Sequence, residues 1–204
     1  MWARLESNTI VEILRRPKAL NIGGTQYPQN IFSMWTEAEL AVIGIVPVTI
    51  DNTNFKNKEY YINTDITYAY STETGKATGS YGTATAKAIA DTLYTAQDET
   101  DGKGIEGEVA TRGLKYNLIQ TLKSQVANEL AKTDWYITRN TEKSTAIPSA
   151  ISTHRNAVRT KQAEMETAIT NASDTPALET LYTYTKQEDG SVTRPLGELP
   201  RLDS

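Results

Sequence analysis

His154 is the only histidine in the chain, and there is no cysteine. Paired-histidine metal sites and thiolate chemistry are thereby excluded, and any catalytic triad would have to be built on this one imidazole. His154 lies between Thr153 and Arg155, three residues after Ile151 and four before Val158. That spacing places it at the edge of a helix–helix interface, which suits a packing residue better than a general base. Gly102-Lys103-Gly104-Ile105-Glu106-Gly107 matches a dinucleotide fingerprint letter by letter. Such a motif works only after a buried strand and at the start of a helix. Gln97-Asp98-Glu99-Thr100-Asp101 precedes it, too charged for a buried strand and repulsive to phosphate. The same acids lack the calcium-loop spacing, because Thr100 stands where Asp or Asn belongs. No catalytic residue, cofactor or metal is assigned, and the expected role is non-enzymatic.

Two features could instead recognise a partner. Arg155 and Arg159 are four apart and project from one helical face, as a solvated face or as anchors for carboxylates. Tyr60, Tyr61, Tyr68, Tyr70 and Tyr81 crowd one short region of a chain that has 11 tyrosines and 2 phenylalanines. Tyrosine-rich surfaces bind proteins or sugars, whereas half-buried strand tyrosines are the ordinary alternative.

The elements that carry these residues follow from pattern. The 204-residue chain is 38% hydrophobic with a formal net charge of -4, ordinary for a folded protein and too mild for nucleic acid or a membrane surface. No apolar run approaches a membrane span, and the start lacks the pattern of a signal peptide, so folding in a cytoplasm is expected. Short strands are expected over Trp2–Leu5 and Thr9–Leu14, with Glu6-Ser7-Asn8 as the turn. Thr36 and Glu39 predict a capping box that opens a short helix, with Trp35 and Leu40 at staple positions and Gly44 closing it. Ile45–Ile50 reads as an edge strand because of Pro47. Ile66–Ser71 and Ala77–Tyr81 form a hairpin about Gly75, with Ile66, Tyr68 and Tyr70 on one face. Ala84–Thr95 has the composition of a helix.

The stretch 96–110, acidic and glycine-containing, reads as an exposed linker. Beyond it Leu114, Leu118, Leu122, Val126 and Leu130 recur every four residues, the stripe of an amphipathic helix. A second helix starts near Pro148 and carries Ile151, Val158, Met165 and Ile169; a short third one follows Asp174-Thr175-Pro176. The expected fold is α+β. A β-rich docking domain over 1–95 and the linker lead to an antiparallel helical hairpin domain over 111–184 and an extended arm over 185–204.

Leu130-Ala131-Lys132-Thr133-Asp134-Trp135, a polar loop, Pro148 and Ile151-Ser152-Thr153-His154-Arg155-Asn156-Ala157-Val158-Arg159 together resemble the bacteriophage tail assembly chaperone family, which is associated with tail fibres. Thr133, Asp134, Trp135, Arg155 and Arg159 match that family's pattern. Ile151, His154 and Val158 stand where Trp, Tyr and Leu are usual, and the likeness covers about residues 112–172. Met1 to Glu6, Arg16-Pro17, Tyr27-Pro28, Ile31-Phe32 and Trp35 to Gly44 look like the first segment of small structural proteins of marine phages.

The resemblance implies a tail or tail-fibre component of the virion, assembled in the host cytoplasm. Its partners would be other tail or fibre proteins, with self-association a further option and neither nucleic acid nor membrane involved. A transient fibre-assembly chaperone absent from the virion is one alternative. A sugar-binding adhesin using Tyr68 and Tyr70 is another. Within the matched motif, Asp134 is expected to cap a following turn or to pair with Arg155 or Arg159. Trp135 is expected to plug the end of the helix pair, so that Trp135→Ala would cost about 3–5 kcal/mol.

Overall fold

Ser7 and Asn8 both adopt positive φ, 49° and 63°. That is the backbone of a tight two-residue hairpin turn, whose twist matches the strands it joins. It connects β1 (Trp2–Glu6) to β2 (Thr9–Leu14) in an antiparallel pair. β3 (Leu20–Ile22) and β4 (Thr25–Tyr27) form a second hairpin, followed by α1 (Ile31–Met34) and α2 (Glu37–Val42). At the start of α2 the Thr36 hydroxyl accepts from the Glu39 N–H at 3.3 Å, and the Glu39 carboxylate accepts from the Thr36 N–H at 2.7 Å. The predicted capping box is therefore formed. Gly44 ends the helix at φ +76°, and its carbonyl accepts from Leu5 N–H at 2.7 Å. A Cβ there would lie 2.7 Å from the Leu5 carbonyl oxygen, so the turn and the close approach both require glycine.

This structure, a computed structural model, describes residues 1–202. The chain divides into two units, Met1–Thr85 and Ala86–Ser204. In the first unit β5 (Ile45–Asp51), β6 (Tyr61–Ile62), β7 (Ile66–Ser71) and β8 (Lys76–Tyr81) follow α2, and β9 (Thr85–Ala86) lies at the junction. The main sheet has the order β2-β1-β5-β8-β7, antiparallel except for the parallel β5–β8 pair. β5 is thus interior, not the edge strand that Pro47 suggested. The two ladders on β5 use different residues: β1 pairs with Ile45, Val46 and Pro47, whereas β8 pairs from Val48 onward. Val48 N–H bonds Met1 O at 3.0 Å, so the Pro47 nitrogen faces the side where pairing with β8 has not yet begun. Proline costs the sheet no hydrogen bond at that point.

One face of the sheet packs Leu14 and Ile45 against Leu20, Ile31 and Leu40 from the hairpin and helices. The other face gathers Ala3, Val46 and Ala77 with Leu5, Ile10, Ile13, Val48 and Tyr70. The β7–β8 hairpin forms as expected, with Ile66, Tyr68 and Tyr70 half-buried and the alternate residues exposed.

The second unit opens with a difference. Residues 84–95 are not helical; they contain β9 and β10 (Thr92–Leu93). Segment 88–91 is spent on the N-terminus of α4 (Leu114–Ala131), whose first N–H groups have no intrahelical acceptor. Ala88 O accepts from Leu114 N–H at 3.0 Å, Ile89 O from Lys115 N–H at 3.1 Å, and the Asp91 carboxylate from Gly113 N–H at 2.7 Å.

The acidic stretch 96–110 is also not a linker but part of this unit. Thr95 and Asp98 form a capping box for α3 (Ala96–Thr100), and Lys103 pairs with Asp98 at 3.1 Å and Asp101 at 3.0 Å. Gly102 and Gly107 take positive φ as turn residues, and β11 (Val109–Thr111) pairs back onto β10. The glycine motif therefore lies between a helix and a strand, the reverse of the order a dinucleotide site needs.

α4 and α6 (Ser149–Asn171) pack antiparallel. Lys115 Nζ donates to Thr170 O at 2.8 Å at one end, and Arg155 Nη1 to Leu130 O at 2.8 Å at the other. Leu122 and Val126 of α4 are buried, as are Ile151, Val158, Met165 and Ile169 of α6, the residues that periodicity picked out. Each fully buried aliphatic side chain contributes about 1.5–3 kcal/mol. Asp174 caps α7 (Thr175–Tyr182) by accepting from Ala177 N–H at 2.8 Å, and Leu178 closes the core.

Two features depart from a bare hairpin with a trailing arm. The inter-helix connection is not the polar loop that its composition suggests but contains α5 (Asp134–Lys143). The arm beyond α7 folds into a small hairpin of β12 (Thr185–Lys186) and β13 (Val192–Thr193), then buries Leu196, whose N–H donates to Leu181 O at 3.0 Å.

Candidate functional site

The α4–α5 corner is organised by one guanidinium. Arg155, only 8% exposed, donates from Nη1 to Leu130 O at 2.8 Å, Thr133 Oγ1 at 2.7 Å and Asp134 Oδ1 at 2.8 Å. Thr133 is fully buried and donates its own hydroxyl proton to Leu130 O at 2.9 Å. A cation thus meets the unpaired carbonyls at the end of α4, and a carboxylate sits in the first turn of α5; both signs favour the helix dipoles. Of the two expected partners of Asp134, the structure brings in Arg155. Arg159 is exposed and has no hydrogen bond or ion pair among the described residues.

Trp135 does not plug the helix pair. Its side chain is 60% exposed. The reason is rotational: Asp134 turns toward Arg155, and the next helical residue points about 100° away. The indole instead stands edge-on to Tyr136, ring centroids 5.0 Å apart, and carries the Arg139 guanidinium 4.7 Å above its face. Ile137 is 37% exposed on the same helix, and α5 buries no residue at all. The Trp135–Arg139 spacing of four residues was readable from sequence; the exposure was not.

His154 is buried, and its Nε2 lies 3.3 Å from Glu129 Oε1, too poorly aligned for a hydrogen bond. Lys132 donates a hydrogen bond to the other Glu129 oxygen. That bond, opposed by burial and aided by the Lys132 charge, holds the Glu129 carboxyl below its ordinary value. Glu129 was not singled out from the sequence, because nothing local announces a partner 25 residues away.

In the first unit, Tyr70 packs into the sheet core and Tyr68 lies over Gly79, where a Cβ would come within 2.7 Å of the ring. Both tyrosines belong first to packing. Tyr68 also borders an open groove of about 570 Å³ with Arg15, Phe55, Asp65 and Tyr81.

Among the described residues no three His, Asp or Glu side chains gather as a metal site, and no helix is long and apolar enough to cross a membrane. No family model, curated protein or solved structure matches the chain.

Proposed function

We propose that the protein is a non-enzymatic structural or assembly component that holds another protein against α5, and that this partner is a bacteriophage tail or tail-fibre protein. The observation that carries the reading is α5 itself: ten residues, none buried, with Trp135 and Ile137 turned outward and the helix root fixed by Arg155. A helix of this length is marginal by itself in water, and its own unit leaves Trp135 60% and Ile137 37% exposed. Trp and Arg are the residue types that most often dominate protein interfaces, and here Trp135 and Arg139 are already stacked before any partner arrives. The tail identity of the partner comes from the resemblance around Thr133-Asp134-Trp135 and Arg155.

The test places a photocrosslinking amino acid at position 137 of the full chain during phage infection and identifies the adducts by mass spectrometry. Adducts with one tail or fibre protein, reduced by Trp135→Ala, are the expected result. Adducts scattered over unrelated host proteins, or unchanged in the variant, would overturn it. Mass spectrometry of purified virions then separates a resident tail component from a chaperone that leaves before maturation.

A further inference from the structure

We infer that the open groove in the first unit is a carbohydrate-binding site. The inference is independent of α5 and adds a second activity to the role proposed above. The groove runs along the start of β7, bordered by Arg15 just beyond β2, by the segment after β5 that carries Phe55, and by residues 61–66.

Its walls are held in shape before any ligand arrives. Asn63 accepts from Lys56 N–H at 2.8 Å and donates back to Lys56 O at 2.8 Å, pinning the segment that carries Phe55. Asn54 donates to Tyr81 O at 3.0 Å, and Thr64 Oγ1 accepts from Gly82 N–H at 2.7 Å. These bonds are spent on the backbone, so they fix the groove without filling it. Sites that need little rearrangement lose little affinity to ordering.

The lining supplies two kinds of contact. Phe55, 38% exposed, and Tyr81 lie 5.0 Å apart at a 57° tilt, and the half-buried Tyr68 adds a third ring. The parts of these rings left exposed along the groove offer apolar area to the C–H face of a sugar ring. Arg15 and Asp65 are exposed, and neither has a hydrogen bond or ion pair among the described residues. A guanidinium presents only donors and a carboxylate only acceptors. Together they match adjacent hydroxyl groups, each of which both gives and takes a hydrogen bond. An apolar peptide would leave Arg15 and Asp65 unmatched. A polyhydroxylated ring satisfies all of them.

The experiment uses the full chain, biotinylated and displayed on streptavidin so that weak single-site binding is amplified by avidity. The probe is a glycan array of neutral hexose, hexosamine and sialylated oligosaccharides. Binding to a defined subset is expected. Phe55→Ala and Asp65→Ala should each weaken it about tenfold or more, the loss of one good contact. Asp65 is exposed and unpaired among the described residues, so the thermal melt of Asp65→Ala should match the parent, and Trp135→Ala should bind as the parent does. An array without signal overturns the inference, as does binding that survives both groove substitutions.

Discussion

Arg155 of α6 reaches across the helix pair to Asp134, Nη1 to Oδ1 at 2.8 Å, while the same nitrogen bonds the last carbonyls' region of α4 through Leu130 O. Residues 21 positions apart in sequence are thereby made one junction from which three helices depart.

Removing that junction is costly. Arg155→Met should destabilise the second unit by about 2–3 kcal/mol, because Leu130 O and the Thr133 hydroxyl lose a charged donor in a buried setting. Arg155→Lys should recover only part, since an ammonium on a different stem cannot reproduce the guanidinium geometry. Urea midpoints at unchanged slope are the measurement.

Trp135→Ala should cost less than about 1 kcal/mol, the range of surface substitutions, not the 3–5 kcal/mol of a core indole. The difference emission spectrum between parent and variant should be that of a water-exposed indole, readily quenched by acrylamide. A urea midpoint that falls as far as that of Arg155→Met would refute the exposed placement.

Glu129 gives the second unit an acid limb. Its folded-state carboxyl lies below the ordinary value of 4.5, so its stabilising contribution is complete above that value and is lost as pH falls through the lowered one. Urea midpoints followed from about pH 6 to about pH 3 should therefore decline, and Glu129→Gln should decline less steeply over the same range.

Among the described residues Asp98 is a carboxylate held well below its ordinary value. Hydrogen bonds from the Thr95 N–H and hydroxyl, and from Lys103, bring it from 3.8 to about 2. Its contribution to folding is complete above the ordinary value and disappears as pH drops toward about 2. Carboxyl-carbon NMR titration should find this value in the parent and a rise toward 3.8 in Thr95→Ala.

Gly113→Ala should destabilise the second unit by about 1–3 kcal/mol through overpacking. A Cβ there would meet the Ala90 carbonyl carbon at 2.3 Å, and backbone cannot step aside as a side chain does. Hydrogen exchange should show lost protection at Leu114 and Lys115 and none in the sheet of the first unit.

The features legible in the sequence were those whose causes are local. The Thr36–Glu39 box, the Gly44 terminus, the alternation of Ile66, Tyr68 and Tyr70, and the fourfold spacing of Leu122 and Val126 each act within a few residues. The misreadings share the opposite origin. Segment 84–95 has helix-forming residues, but its carbonyls serve α4 twenty-odd positions later. Pro47 sits inside the sheet because two ladders divide β5 between them, a fact about β1 and β8 and not about proline. At the candidate site, the Asp134–Arg155 pair was one of the options that the matched motif left open beside Arg159 and a turn cap, whereas the outward turn of Trp135 depended on α5, whose helical phase the polar sequence of 134–143 concealed. Arg15, Phe55 and Asp65 come from three separate segments, so no spacing could have joined them.

The helix pair is fastened at both extremities, Lys115 to Thr170 O and Arg155 to Leu130 O. Sliding one helix past the other by a single turn, about 5.4 Å, would break both fastenings together. The pair therefore behaves as a strut and not as a telescoping lever: a pull applied at α5 is carried through Arg155 into α6 without a ratchet step between the helices.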